Sequence, residues 1–150
     1  MEYAGEKYTG SGVLVSVINT GVDPKMERLR EGWTLSLNND GKVTVARGQN
    51  DRSGRGTKIA RCLRFGAPEA DIVSLNIFNE ENRTNSELLA RAIQLSCEQG
   101  VQVINISFGT SNKSKLPMLE AICQQAWEAG ILIVASGHPK GDASYPADID

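Results

Sequence analysis

The chain has 150 residues, 40% hydrophobic and 23% charged, the composition of one globular domain with an ordinary core. Its net charge of −2 gives no general attraction for nucleic acid or an anionic membrane, and no apolar run reaches the roughly 20 residues of a membrane span. The opening Met1-Glu2-Tyr3-Ala4-Gly5-Glu6-Lys7 has no basic start or apolar stretch of a secretory signal, and Cys62, Cys97 and Cys123 lack metal-type spacing, so a cytoplasmic protein with reduced thiols, no metal and no other cofactor is expected.

Residues 13–18, Val13-Leu14-Val15-Ser16-Val17-Ile18, are a short apolar, β-branched run bounded by Gly10-Ser11-Gly12 and Thr20-Gly21, which predicts a buried strand. Asp23-Pro24 opens a turn and predicts a short helix over 25–30. Residues 33–37 and 42–45 alternate, and Asn38-Asn39-Asp40-Gly41 between them signals a hairpin. Ser53-Gly54-Arg55-Gly56-Thr57 reads as a loop into a helix over 58–65, stopped at Gly66-Ala67-Pro68, and 71–77 reads as a strand. Over 84–99, Leu88, Leu89, Ala92, Ile93 and Leu95 form a helical apolar face, and Thr84 with Glu87 has capping-box spacing. Gly100 stops that helix, 101–107 is a third buried strand, 116–128 a helix closed by Gly130, and 131–135 a fourth strand. This alternation predicts an α/β fold: a doubly wound, mainly parallel sheet with helices on both faces, in a single domain over 1–150.

Five segments at the ends of these elements carry the functional signal. They are Asn19-Thr20-Gly21, Gly54-Arg55-Gly56-Thr57-Lys58, Val103-Ile104-Asn105-Ile106-Ser107-Phe108-Gly109, Val134-Ala135-Ser136-Gly137-His138 and Tyr145-Pro146-Ala147. Each is weak alone. In this order they resemble the subtilisin-like serine peptidases, or subtilases, over roughly residues 10–147. The matched family segments are, in turn, Asp-Ser/Thr-Gly, Gly-His-Gly-Thr-His, the strand that lines the substrate cleft, Ala-Ala-Gly-Asn and Tyr-Pro-Ala. The resemblance covers about the first half of such a catalytic domain. The later Gly-Thr-Ser helix, which bears the nucleophile, has no counterpart in these residues.

The resemblance implies a carboxylate that orients an imidazole, which takes the proton of a serine. Asn19 stands at the acid position without its charge, a change that costs about 10⁴-fold in turnover in a serine peptidase. Arg55 stands at the base position, and a guanidinium neither accepts nor releases a proton there. His138 stands where the oxyanion-hole asparagine belongs, a donor whose loss costs about 10²–10³-fold. No catalytic residue is assigned; Asn19, Arg55 and His138 are degenerate positions. An Asn19 carbonyl accepting from the Arg55 guanidinium is the expected structural replacement for the old hydrogen bond. His138, the sole histidine, lies among Ser136, Lys140, Asp142 and Ser144, and is read as an exposed loop residue rather than half of a new Ser-His pair.

The cleft strand is kept. In subtilases the edge at Ser107-Phe108-Gly109 pairs with an extended peptide through backbone hydrogen bonds, and strand addition needs no catalytic group. Gly109 also permits close backbone approach. Between residues 47 and 64, Arg47, Arg52, Arg55, Lys58, Arg61 and Arg64 face Asp51 alone, which suits an acidic peptide or partner beside the cleft. The expected function is a catalytically inactive, peptide- or protein-binding relative, with Ser107, Phe108, Gly109, Arg55 and Lys58 as the binding residues. Its context, taken from the resemblance, is peptide maturation, including natural-product precursors. The rival readings are one half of a split or oligomeric peptidase whose serine comes from another chain, and a structural module. A homo-oligomer or partner chain is expected over the sheet surface that the second half of a subtilase buries.

Overall fold

The computed structural model describes residues 2–3 and 6–149. A short antiparallel strand pair, β1 (Glu2–Tyr3) and β2 (Glu6–Lys7), precedes a six-stranded sheet. The sheet contains β3 (Leu14–Asn19), β4 (Glu31–Leu37), β5 (Val43–Arg47), β6 (Asp71–Asn76), β7 (Val103–Ile106) and β8 (Leu132–Ala135). Their spatial order is β5-β4-β6-β3-β7-β8, parallel throughout except for the antiparallel β4–β5 pair. The predicted doubly wound α/β architecture is the one observed.

β3 is the central strand and is buried along its whole length, as its unbroken apolar run requires. Alternation divides its side chains between two layers. Leu14 and Ile18 join the larger core under α2 (Ser86–Glu98) and α3 (Leu116–Glu128), and on that face Ser16 shares a 2.7 Å hydroxyl hydrogen bond with Ser96. Val17 points the other way, packing with Val22, Ile72 and Ala60 of α1 (Arg55–Gly66). The chain leaves β3 toward β4 and leaves β7 toward β8, in opposite directions. A crevice therefore opens beyond the carboxyl ends of these adjacent parallel strands, where open α/β sheets bind ligands.

The sheet is covered unevenly. α1 covers the β3–β6 part of its face, whereas Leu132 and Val134 of β8 are 54% and 47% exposed on that same face. Trp127 of α3 is 71% exposed at the margin of a groove of about 950 Å³ along the outer edge of β8.

Three sequence expectations are corrected. Residues 24–26 form a single turn, with the Met26 and Glu27 amides on the Asp23 carbonyl, and no helix follows over 25–30 because Arg30 N is already drawn to Ile72 O at the sheet edge. α1 begins at Arg55 rather than 58. The cap of α2 is Asn85, whose side chain accepts from Leu88 N; Glu87 pairs with Lys115 instead of closing a capping box with Thr84.

Candidate functional site

The loop before α1 is held by one carboxylate. Asp51 accepts from Thr57 Oγ1 at 2.6 Å, Thr57 N at 2.8 Å, Gly54 N at 2.9 Å and Thr20 Oγ1 at 2.9 Å. Burial works to raise the Asp51 carboxyl, but these four hydrogen bonds outweigh it and leave it below its ordinary value. Gly56 N donates to Thr20 Oγ1, so the N-terminus of α1 is tied to the end of β3. The approach is so close that a Cβ on Gly56 would lie 1.9 Å from Gly21 O, which only glycine avoids. Sequence reasoning missed Asp51. The signal available was a carboxylate placed just ahead of a helix start, hidden by a glycine, Gly54, in the capping position with φ 72°.

The structure brings Asn19 and Arg55 to the same end of the sheet but does not join them. Asn19 is fully buried; its Oδ1 accepts the amide of Thr20 at 2.9 Å, and its Nδ2 has no partner. The Arg55 guanidinium instead lies over the Phe78 ring, 4.8 Å from its centroid, and Phe78 meets Phe108 edge to face at 5.1 Å. The expected Asn19–Arg55 hydrogen bond is thus absent, because stacking on Phe78 and a local backbone donor satisfy the two residues separately.

The positive stretch also resolves into parts. Arg47 pairs with Glu31, Arg52 with Glu80, and both Arg61 and Arg64 with Glu27. These acids lie outside the 47–64 window, so the local excess seen in the sequence is mostly neutralised by folding. Among the described residues of this stretch, Arg55 and Lys58 are the cations left without an ion pair, and they lie one turn apart on α1.

Ser107 and Phe108 are half-buried and Gly109 is exposed at the end of β7. The space beside Gly109 is filled by the chain itself. A Cβ there would lie 2.0 Å from Ser144 Oγ, and Thr110 and Tyr145 form an antiparallel bridge at 2.9 and 2.8 Å. His138 sits in an exposed turn, its Nδ1 3.3 Å from both the Lys140 amide and Asp142 Oδ2. The nearby Ser144 hydroxyl is directed to Ser136 O rather than to this imidazole. Burial pushes the Cys123 thiol up to about 11, aided by nearby Cys97, whose own thiol burial also raises. Neither is a ready nucleophile. Among the described residues no cluster of three or more His, Cys, Asp or Glu is arranged to hold a metal, and no helix is long and apolar enough to cross a membrane.

A parallel sheet with a crevice at the ends of β3 and β7, and a helix N-terminus pressed against the end of β3, defines a subtilisin-like α/β protein. Comparison with known proteins bears this out. The model of the subtilase family, peptidase S8, matches residues 10–138, and the chain belongs to that family. It is similar to minor extracellular protease Epr of Bacillus subtilis (strain 168), 26% identical over 93% of this chain and 22% of that protein. It is also similar to subtilisin BL of Lederbergia lenta, 28% identical over 93% of this chain and 53% of that one. The crystal structure of a lanthipeptide protease shares the fold, with a TM-score of 0.67 and 22% identity, over 85% of this chain and 40% of its own. The chain spans about half or less of the length of these relatives.

Proposed function

We propose that this chain is a subtilase-like protein that holds a peptide or protein partner without cleaving it. The observation that carries the reading is Arg55. A residue with no acceptor, which keeps its positive charge at any working pH, stands where the resemblance places the family's base, and it is stacked on the Phe78 ring. That argument is independent of what any further chain would add. Asn19 supports it: its amide carries no charge to stabilise an imidazolium, and its oxygen is already used by Thr20.

The proposed binding residues are Ser107 and Phe108 at the end of β7, with Arg55 and Lys58 on α1, while the close approach that Gly109 permits is taken up by Ser144. The unpaired state of those two cations favours an acidic ligand. The lanthipeptide protease among the structural neighbours makes the precursor of a peptide natural product a candidate. The uncovered β8 face, with Leu132 and Val134 exposed, favours a second copy or partner chain beside the cleft. Three free cysteines suit a reducing, cytoplasmic setting.

The test is incubation of the purified chain with a broad peptide library and, separately, with a serine-directed fluorophosphonate. Retained, uncut peptides with no labelling are expected. Cleavage or labelling sinks the inactive reading and favours a peptidase completed by another chain; neither retention nor cleavage leaves a structural module.

A further inference from the structure

On the side away from β7, β4 runs on where its neighbour stops. Its parallel pairing with β6 ends at Thr34–Asn76, whereas its antiparallel pairing with β5 continues to Leu37–Val43. β4 therefore overruns β6 by Leu35, Ser36 and Leu37, about 10 Å at roughly 3.3 Å per residue. Asn76 makes the stop. Its Oδ1 accepts Phe78 N at 3.0 Å, the amide that a longer ladder would give to Leu35 O, and Ile77 N is spent on Asn19 O of β3. The hairpin fixes which backbone groups are left over. Gly48 N donates to Gly32 O and Asn38 N to Lys42 O, so by alternation Thr34 and Ser36 bond to β5 while Trp33, Leu35 and Leu37 face β6. Leu35 O and both backbone groups of Leu37 thus point into the space that β6 has vacated, with no partner among the described residues.

That space is a groove of about 830 Å³, and Thr34 to Leu37 are themselves part of its lining. Its two sides differ. Toward α2 it is apolar, with Leu35 and Leu88 beneath and Leu37 42% exposed beside them. Toward the loop before α1 it is lined by Ser36, Asn50 and Ser53, all uncharged and exposed. The charged side chains at its rim are already engaged, Arg52 with Glu80 and Arg83 with Glu81. An open strand edge is matched by another extended backbone, whose N–H and C=O groups repeat at the same spacing. We propose that this groove takes up an extended peptide segment, which adds to β4 in the line of β6 through backbone hydrogen bonds to Leu35 and Leu37. Side chains alternate across an added strand. The segment therefore carries apolar residues toward Leu37 and Leu88, and Ser, Thr, Asn or Gln toward Ser36, Asn50 and Ser53. A charged residue finds no free counter-charge there. The inference goes beyond the reading at the end of β7, since none of Ser107, Phe108, Arg55 and Lys58 lines this groove.

The test uses the full chain with Ac-Ser-Val-Thr-Val-Ser-NH₂, followed by calorimetry and by backbone amide NMR. Beside it run two N-methylated forms, one methylated at both valines and one at the threonine and serines. Methylation removes the donors of one peptide edge and leaves every side chain unchanged. The parent is expected to bind, and one methylated form to bind at least about tenfold more weakly, according to which edge meets β4. The Ser36 and Leu37 amides should shift with the parent. Leu37→Pro, which removes an amide that β5 does not use, should weaken the parent by a similar factor; should that variant fold poorly, the shifts in the unaltered chain decide. Equal binding of all three peptides overturns strand addition. Shifts confined to Ser107 and Phe108 overturn this groove and support the reading at β7. No binding of the parent overturns the proposal too, and leaves the β7 reading to be decided by the peptide library.

Discussion

The two halves of the sheet face are built to different standards. Around β3 and β6, α1 is sealed down: Gly56 touches the Gly21 backbone, Asp51 takes four hydrogen bonds of 2.9 Å or shorter, and Val17, Ile72 and Ala60 are buried between helix and sheet. Around β7 and β8 the same face is open, with Leu132 and Val134 exposed. The contrast separates two things an active subtilase combines. On the proposed reading, the strand end and helix start that would present an acid and a base are maintained in detail while carrying Asn19 and Arg55. What the open half lacks is a cover.

The largest effect expected from breaking this contrast is at the sealed half. Gly56→Ala places a methyl group against a backbone carbonyl that has nowhere to move, so α1 must lift from β3. A loss of about 3 kcal/mol or more is expected, or a fall in Tm of roughly 6–12 °C by thermal denaturation. A change below 1 kcal/mol would mean that the helix is not seated as described.

Asp51→Asn comes next, at about 2 kcal/mol near neutral pH, because Asn cannot accept from all four donors. The folded carboxyl lies below its ordinary value, so its contribution is present above the unfolded pKa, about 4, and fades as pH falls through the folded one. Urea denaturation of both proteins from pH 7 to pH 2.5 should therefore show the gap narrowing on the acid side. A gap constant across that range contradicts the assignment of Asp51 as the ionised clasp.

Sequence and structure part company at this same loop. The strands were legible because Val13 to Ile18, Ile72 to Leu75 and Ile104 to Ile106 are apolar on the period and length of buried strands. The position of Asn19 was legible because a strand end fixes it, whereas that of Arg55 came from the resemblance of its segment, since the helix was expected only from residue 58. The Asp51 clasp was not, since it depends on Thr20, 31 residues away in sequence, and on a loop whose path local propensity does not set. Nor could the pairing of Arg61 and Arg64 with Glu27 be read locally, because the turn after β3 brings that acid across α1. The misplaced Asn19–Arg55 contact has a similar origin: spacing located both backbones, but Phe78, brought in by β6, decided where the guanidinium went.

Arg55→Ala sharpens that last point with a smaller effect. With stacking on one ring and no ion pair, the side chain should contribute no more than about 1 kcal/mol to stability. Thermal unfolding of the variant checks this. A loss of several kcal/mol would restore a structural bond from Arg55 to the buried strand end.

The smallest effect on the fold, and the one that bears on assembly, belongs to the open half. Leu132 and Val134 are half-exposed in the chain alone, so the double change to threonine should alter monomer stability by no more than about 0.5 kcal/mol. Both residues adjoin the β8 edge groove, where Trp127 is also exposed, and on the proposed reading this is the face that a partner covers. The groove borders Glu120 and Asp148, while Arg55 and Lys58 are the cations of α1 with no ion pair among the described residues, so the proposed second copy would offer complementary charge as well as apolar cover. Light scattering of the unaltered chain should then give a mass above 16.2 kDa that falls to the monomer value in the variant. A unaltered chain that is already monomeric, and equally soluble with threonine at both positions, would show that this face needs no second copy and that the cover, where one exists, is a different chain.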